Sequence, residues 1–181
     1  MKQVVPVILA LLIATPALAC DGEAWIELRV IPSELAGIQV VEATSIDQEG
    51  CVESRFAEFD RRAGTYERYL DPDQYDALQA QLPGLIGFNT AATEQILRQP
   101  PPSDGVADVI GPTLLHVGGG DVYRLTIHNG AATKDITWRA PRAMASARSD
   151  VTALVDLVQF FDTLRDAAAD PRKADVQEVQ R

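Results

Sequence analysis

Over residues 25–31 the chain alternates: Ile26, Leu28 and Val30 point one way, Glu27 and Arg29 the other. A period of two is the signature of a strand with one buried and one wet face, and a helix cannot use it. The pattern returns at 122–128, where Tyr123, Leu125 and Ile127 share a face, and at 133–139, with Ile136 and Trp138. Asn129-Gly130 marks the turn between these two, within a loop of about four residues. Segments 38–46, 51–59 and 65–70 read as three further strands, separated by the turn-forming stretches 47–50 and 61–64. The hairpin-like spacing predicts antiparallel pairing.

Two segments follow the helical period instead. Asp71-Pro72-Asp73-Gln74 supplies a cap, a proline suited to the first helical position and a capping-box glutamine. Tyr75, Leu78 and Leu82 then share a face, and Pro83-Gly84 is expected to end the helix. Over 151–168, Val151, Leu154, Val155, Val158, Phe161 and Leu164 recur at three- and four-residue steps, with Ser149 or Asp150 placed to cap. The expected architecture is α+β: an antiparallel sheet of about five to six strands with two main helices packed on one face. Segment 89–121 reads as a loop-rich insertion, holding a short helix near Ile96 and Leu97 before Pro100-Pro101-Pro102. Segment 141–149 reads as a linker. Residues 170–181 are polar, and read as a frayed helix or a mobile tail.

Residues 1–19 read as a cleavable signal peptide: Lys2, an apolar run from Val4 to Ala14, then Ala17-Leu18-Ala19. The run is shorter than the roughly 20 residues that span a bilayer, so no transmembrane segment is expected after cleavage. Residues 20–169 then form one domain, expected in the periplasm or outside the cell. Only Lys2 of the chain's 16 basic residues lies in that leader, which leaves 15 against 26 acidic groups. Such a surplus of carboxylates disfavours nucleic acid, whose phosphates need clustered Lys and Arg.

The two cysteines are Cys20 and Cys51. An oxidising compartment allows them to form a disulfide. Alternatively Ala17-Leu18-Ala19-Cys20 is a loose lipobox, with Cys20 lipid-modified and Cys51 left as an odd thiol. The disulfide is the favoured reading. With it, a metal site loses both thiolates, and the remaining His116 and His128 lie far apart in sequence. No metal or cofactor is expected. Ser103 and Ser146 have no elbow motif or adjacent base around them, and Gly118-Gly119-Gly120 precedes a strand where a phosphate cradle would open a helix. Glu53, Glu58 and Glu67 lie on neighbouring segments and read as a solvated sheet face beside Arg55 and Arg68. No catalytic residue is assigned, and the chain reads as non-enzymatic.

Three segments carry a family likeness: Leu35-Ala36-Gly37-Ile38; Leu70-Asp71-Pro72-Asp73-Gln74, opening a helix that leads into Leu85-Ile86-Gly87-Phe88; and residues 121–130, followed by the amphipathic helix bearing Leu154 and Leu164. Together they resemble the protealysin-inhibitor (emfourin-like) family of bacterial metalloprotease inhibitors. This chain departs from that pattern by extra residues at 47–69 and 89–120, and by Ser33-Glu34 where the family has a glycine pair. The resemblance implies an exported binding module with a protein partner, a protease. It points to two contact segments, the turn at Leu35, Ala36 and Gly37 and the loop bearing Leu114, Leu115 and His116. The alternative is a structural or assembly protein of the cell envelope, lipid-anchored through Cys20.

Overall fold

A computed structural model describes residues 20–32, 40–100, 120–173 and 175–179. Its strands are β1 (Ala24–Ile31), β2 (Glu42–Asp47), β3 (Cys51–Phe56), β4 (Gly64–Tyr69), β5 (Val122–Asn129), β6 (Ala132–Arg139) and β7 (Gln177–Glu178). They form one seven-stranded sheet in the order β6-β5-β1-β2-β3-β4-β7, every neighbouring pair antiparallel. The helices are α1 (Pro72–Ile86), α2 (Thr90–Leu97), α3 (Pro141–Ala147) and α4 (Thr152–Ala167). The fold is thus a mixed α+β one with more strands than the five to six expected. The additional strand comes from the C-terminal segment: residues expected to be a frayed helix or tail lay Gln177 and Glu178 beside Glu67 and Tyr66.

Register follows from the alternation. Leu28 stands opposite Leu125 on one side and Thr44 on the other, and Ile26 stands between Ile127 and Ile46. The apolar ones among these join Leu78, Leu82 and Leu85 of α1 and Leu154, Leu157, Phe160, Phe161 and Leu164 of α4 in one buried cluster. Tyr123 meets Phe161 at a ring separation of 4.9 Å, and Phe88 meets Trp138 edge-on at 5.7 Å. Such contacts add to plain area burial.

Turn chemistry sets the connections. Asp47 accepts hydrogen bonds from the backbone N–H groups of Glu49 and Cys51, both at 2.9 Å, and Gly50 takes a φ of +82°. The β5–β6 connection is tighter than the four-residue loop expected. Asn129 pairs with Ala132, and Gly130 supplies the positive φ, 60°, that a two-residue hairpin loop needs at its first central position.

Three helix boundaries depart from expectation. α1 has its capping box, Asp71 accepting from the Gln74 N–H at 2.8 Å, but it runs through Pro83 to Ile86. Burial of Leu82 and Leu85 on its inner face outweighs the backbone hydrogen bond that proline forfeits. The expected linker 141–149 instead forms α3, which begins with Pro141 and buries Met144 and Ala145. Its entry is a left-handed Ala140 (φ 47°), and only a glycine fits opposite: a Cβ on Gly120 would lie 2.2 Å from that of Ala140. Finally, α4 starts with Val151 at the cap position and no side-chain cap. The Asp150 carboxylate is engaged elsewhere, with Arg148.

Candidate functional site

The contact residues expected from the family likeness, Leu35, Ala36, Gly37, Leu114, Leu115 and His116, lie outside the described residues. The cysteines do not: Cys20 and Cys51 form a disulfide with Cα atoms 5.5 Å apart. A thioether to lipid would need the same Cys20 sulfur, so this bond and lipid anchoring are mutually exclusive. Among the described residues no group of three His, Cys, Asp or Glu could hold a metal ion, and no helix is long and apolar enough to cross a membrane.

The sheet has two unlike faces. The inner one bears the core. On the outer one, register sorts charges into two cross-strand rows. Asp135, Thr126, Glu27, Ser45, Glu53 and Glu67 follow one another from β6 to β4. Two residues along each strand lie Thr137, Arg124, Arg29, Ala43, Arg55 and Thr65. One row holds carboxylates and no base; the other holds arginines and no acid. Arg29 bonds back to Glu27 at 3.1 Å and Arg55 to Glu53 at 3.5 Å, while both arginines keep more than half of their side-chain surface in water. His128 adds a cationic edge when protonated, its Nε2 lying 3.8 Å from Glu27.

This sorting is invisible within any single strand, where Glu27-Leu28-Arg29 and Glu53-Ser54-Arg55 read as ordinary mixed-charge surfaces. The Asp47–Gly50 turn is the signal that could have revealed it, because a tight β2–β3 turn puts Ser45 opposite Glu53. The expected solvated group of carboxylates is also corrected in part. Glu67 is only 1% exposed, and Arg68 points to the inner face, where it meets Gln74 at 2.9 Å and Asp175 at 3.0 Å. Glu58 lies in the turn after β3, away from both rows.

The inner face beneath the C-terminal segment is polar. Arg62 reaches Asp60 at 3.0 Å and both Glu42 and Asp170 at 3.5 Å, and stacks over the Phe56 ring at 4.0 Å. Arg172 closes the group by pairing with Asp170. The hydrogen bonds from Arg172 hold the Asp170 carboxyl far below the usual carboxylate range, against the opposing effect of burial. Arg62 does the same for Asp60, more mildly. A second buried cation, Arg148, donates to the Leu97 and Gln99 carbonyls at 3.2 and 2.9 Å and pairs with Asp150 at 2.8 Å. It therefore closes the C-terminal end of α2, whose last carbonyls have no partner within the helix. Between α1, α2 and α4 lies a groove of 460 Å³ with small-residue walls, Ala80, Gly84 and Ala92, over a floor of Leu85 and Phe88. Sequence reading missed this groove because its walls come from three separate helices.

No family model, no curated protein and no solved structure matches this chain.

Proposed function

We propose that the protein is an exported binding module that acts by surface contact, and that its partner is a secreted or periplasmic metalloprotease. The observation that carries export is the Cys20–Cys51 disulfide, a bond that persists in oxidising compartments and that joins the first residue after the expected cleavage site to the start of β3. The partner class comes from the three-segment likeness to the protealysin-inhibitor family. A rigid sheet backed by α1 and α4 would present its loops to the partner's cleft with little conformational entropy left to lose on binding.

The test is a titration of the mature protein into thermolysin-type proteases with residual activity as readout. Dose-dependent inhibition is expected. Full activity across several such enzymes at tens of micromolar protein would remove the metalloprotease as partner. The cystine is checked separately, by mass spectrometry of the exported protein without reduction.

A further inference from the structure

The two rows on the outer face of the sheet are sorted by the sign of their charge. Arg29 stands directly opposite Arg124, and like charges in direct cross-strand register repel. The rows are parallel, of opposite sign, and separated by two residues of each strand. At their centre β2 contributes only Ala43 and Ser45, which leaves a shallow trough between the arginines and glutamates of β1 and β3.

We propose that this face is a homodimer interface: a second copy of the chain packs on it, related by a two-fold axis that runs between the two rows and parallel to them. Rotation about that axis carries each arginine row onto the partner's carboxylate row. Arg29 of one copy then faces Glu27 of the other, and Arg55 faces Glu53, with the same contacts repeated in reverse. Such an isologous contact needs one patch that complements itself, which the two rows provide. Face-to-face sheets lie about 10 Å apart, a gap that long Arg and Glu side chains fill from both sides. The small Ala43 and Ser45 fall over one another and leave room for them. The acidic surplus of the chain opposes any approach of two copies at long range. At about 0.15 M salt that repulsion is screened beyond roughly 8 Å, while contacts across the interface are not. Opposed rows also fix the relative orientation of the copies, because any other orientation sets like rows against each other. This interface is independent of the protease reading, and either can fail without the other.

The test is a charge exchange, read by sedimentation equilibrium of the cystine-intact protein at about 100 µM and 0.15 M salt, a concentration suited to polar interfaces of modest size. The unaltered protein is expected to be dimeric. Arg29→Glu with Arg124→Glu makes the β6–β5–β1 half of the face acidic, and Glu27→Arg with Asp135→Arg makes that half basic. Each double variant alone is expected to associate on the order of tenfold more weakly or worse, and an equimolar mixture of the two to recover the dimer mass. All four positions are in contact with water, and far-UV circular dichroism checks that each variant folds. A monomer at every concentration overturns the proposal. So does a dimer that survives both reversals, or a mixture that stays monomeric.

Discussion

The inner face of the sheet is apolar where β6, β5 and β1 lie side by side, and polar across much of β2, β3 and β4. On the first side Ile26, Leu28, Leu125, Ile127 and Ile136 are at most 1% exposed and meet the aromatic and aliphatic side chains of the helices. On the second, Thr44, Ser54, Glu42 and Arg68 are also buried, and each has a polar partner. Thr44 and Ser54 share a hydrogen bond at 3.1 Å, and Ser54 accepts from the backbone N–H of Ala169 at 2.9 Å. One half is held by burial of area, which is tolerant of direction. The other is held by directional bonds to a segment more than a hundred residues away in sequence.

The difference sets how each half should fail. The largest expected effect is in the apolar half. Phe161→Ala removes a fully buried ring from its contact with Tyr123 and should cost about 3–5 kcal/mol, read from urea unfolding at neutral pH. In the polar half, Ser54→Ala should cost about 1–3 kcal/mol, because the Ala169 N–H loses its acceptor in a site closed to water. If Ser54→Ala costs no more than Ser45→Ala on the outer face, the polar half does not depend on these bonds.

The smallest expected effect distinguishes the halves by pH. The Asp170 carboxyl titrates lower in the folded chain than in the unfolded one, so between those two values the unfolded state binds more protons. Its contribution is complete above the ordinary aspartate range near 4 and is lost progressively as pH falls from there toward the lower folded value. Asp60 and Asp150 shift in the same direction. Unfolding midpoints measured from about pH 5 down to pH 2 should therefore fall less steeply for Asp170→Asn than for the unaltered protein. The gap should be small, since the Arg172 side chain is 77% exposed and water screens the pair. Phe161→Ala should keep the unaltered slope.

What could be read from the sequence depended on whether an element's signal is local. Alternation located β1, β5 and β6, the capping box located the start of α1, and the helical period located α4. In each case the signal is local, because one face must find apolar cover. β7 and α3, which were not expected as such, left no such trace. β7 is two residues long, and Gln177 and Glu178 become a strand only because the edge of β4 offers them bonds. α3 depends on Ala140 meeting a glycine twenty residues earlier. Tail residues Ala168, Ala169 and Asp170 are buried by partners on β3 and the β3–β4 loop, which no periodicity in the tail announces. The charge rows follow the same logic: each strand contributes one unremarkable pair, and order arises only when register stacks them. Of the expected contact residues, those of 35–37 and 114–116 lie outside the described chain, so the face that stands out here is one that single-strand patterns could not announce.

The cystine and β7 have one further consequence. Both ends of the described chain are fastened on the β3–β4 flank, the first by a covalent bridge to Cys51 and the last by two residue pairs beside Tyr66 and Glu67. Under tension between the ends, the bridge cannot yield but the terminal ribbon can be peeled one pair at a time. The molecule is therefore built to give way mechanically from one side only. Its C-terminal strap would unzip while the oily interior under β1 and β5 stays unloaded, and slackening the chain would let it close again.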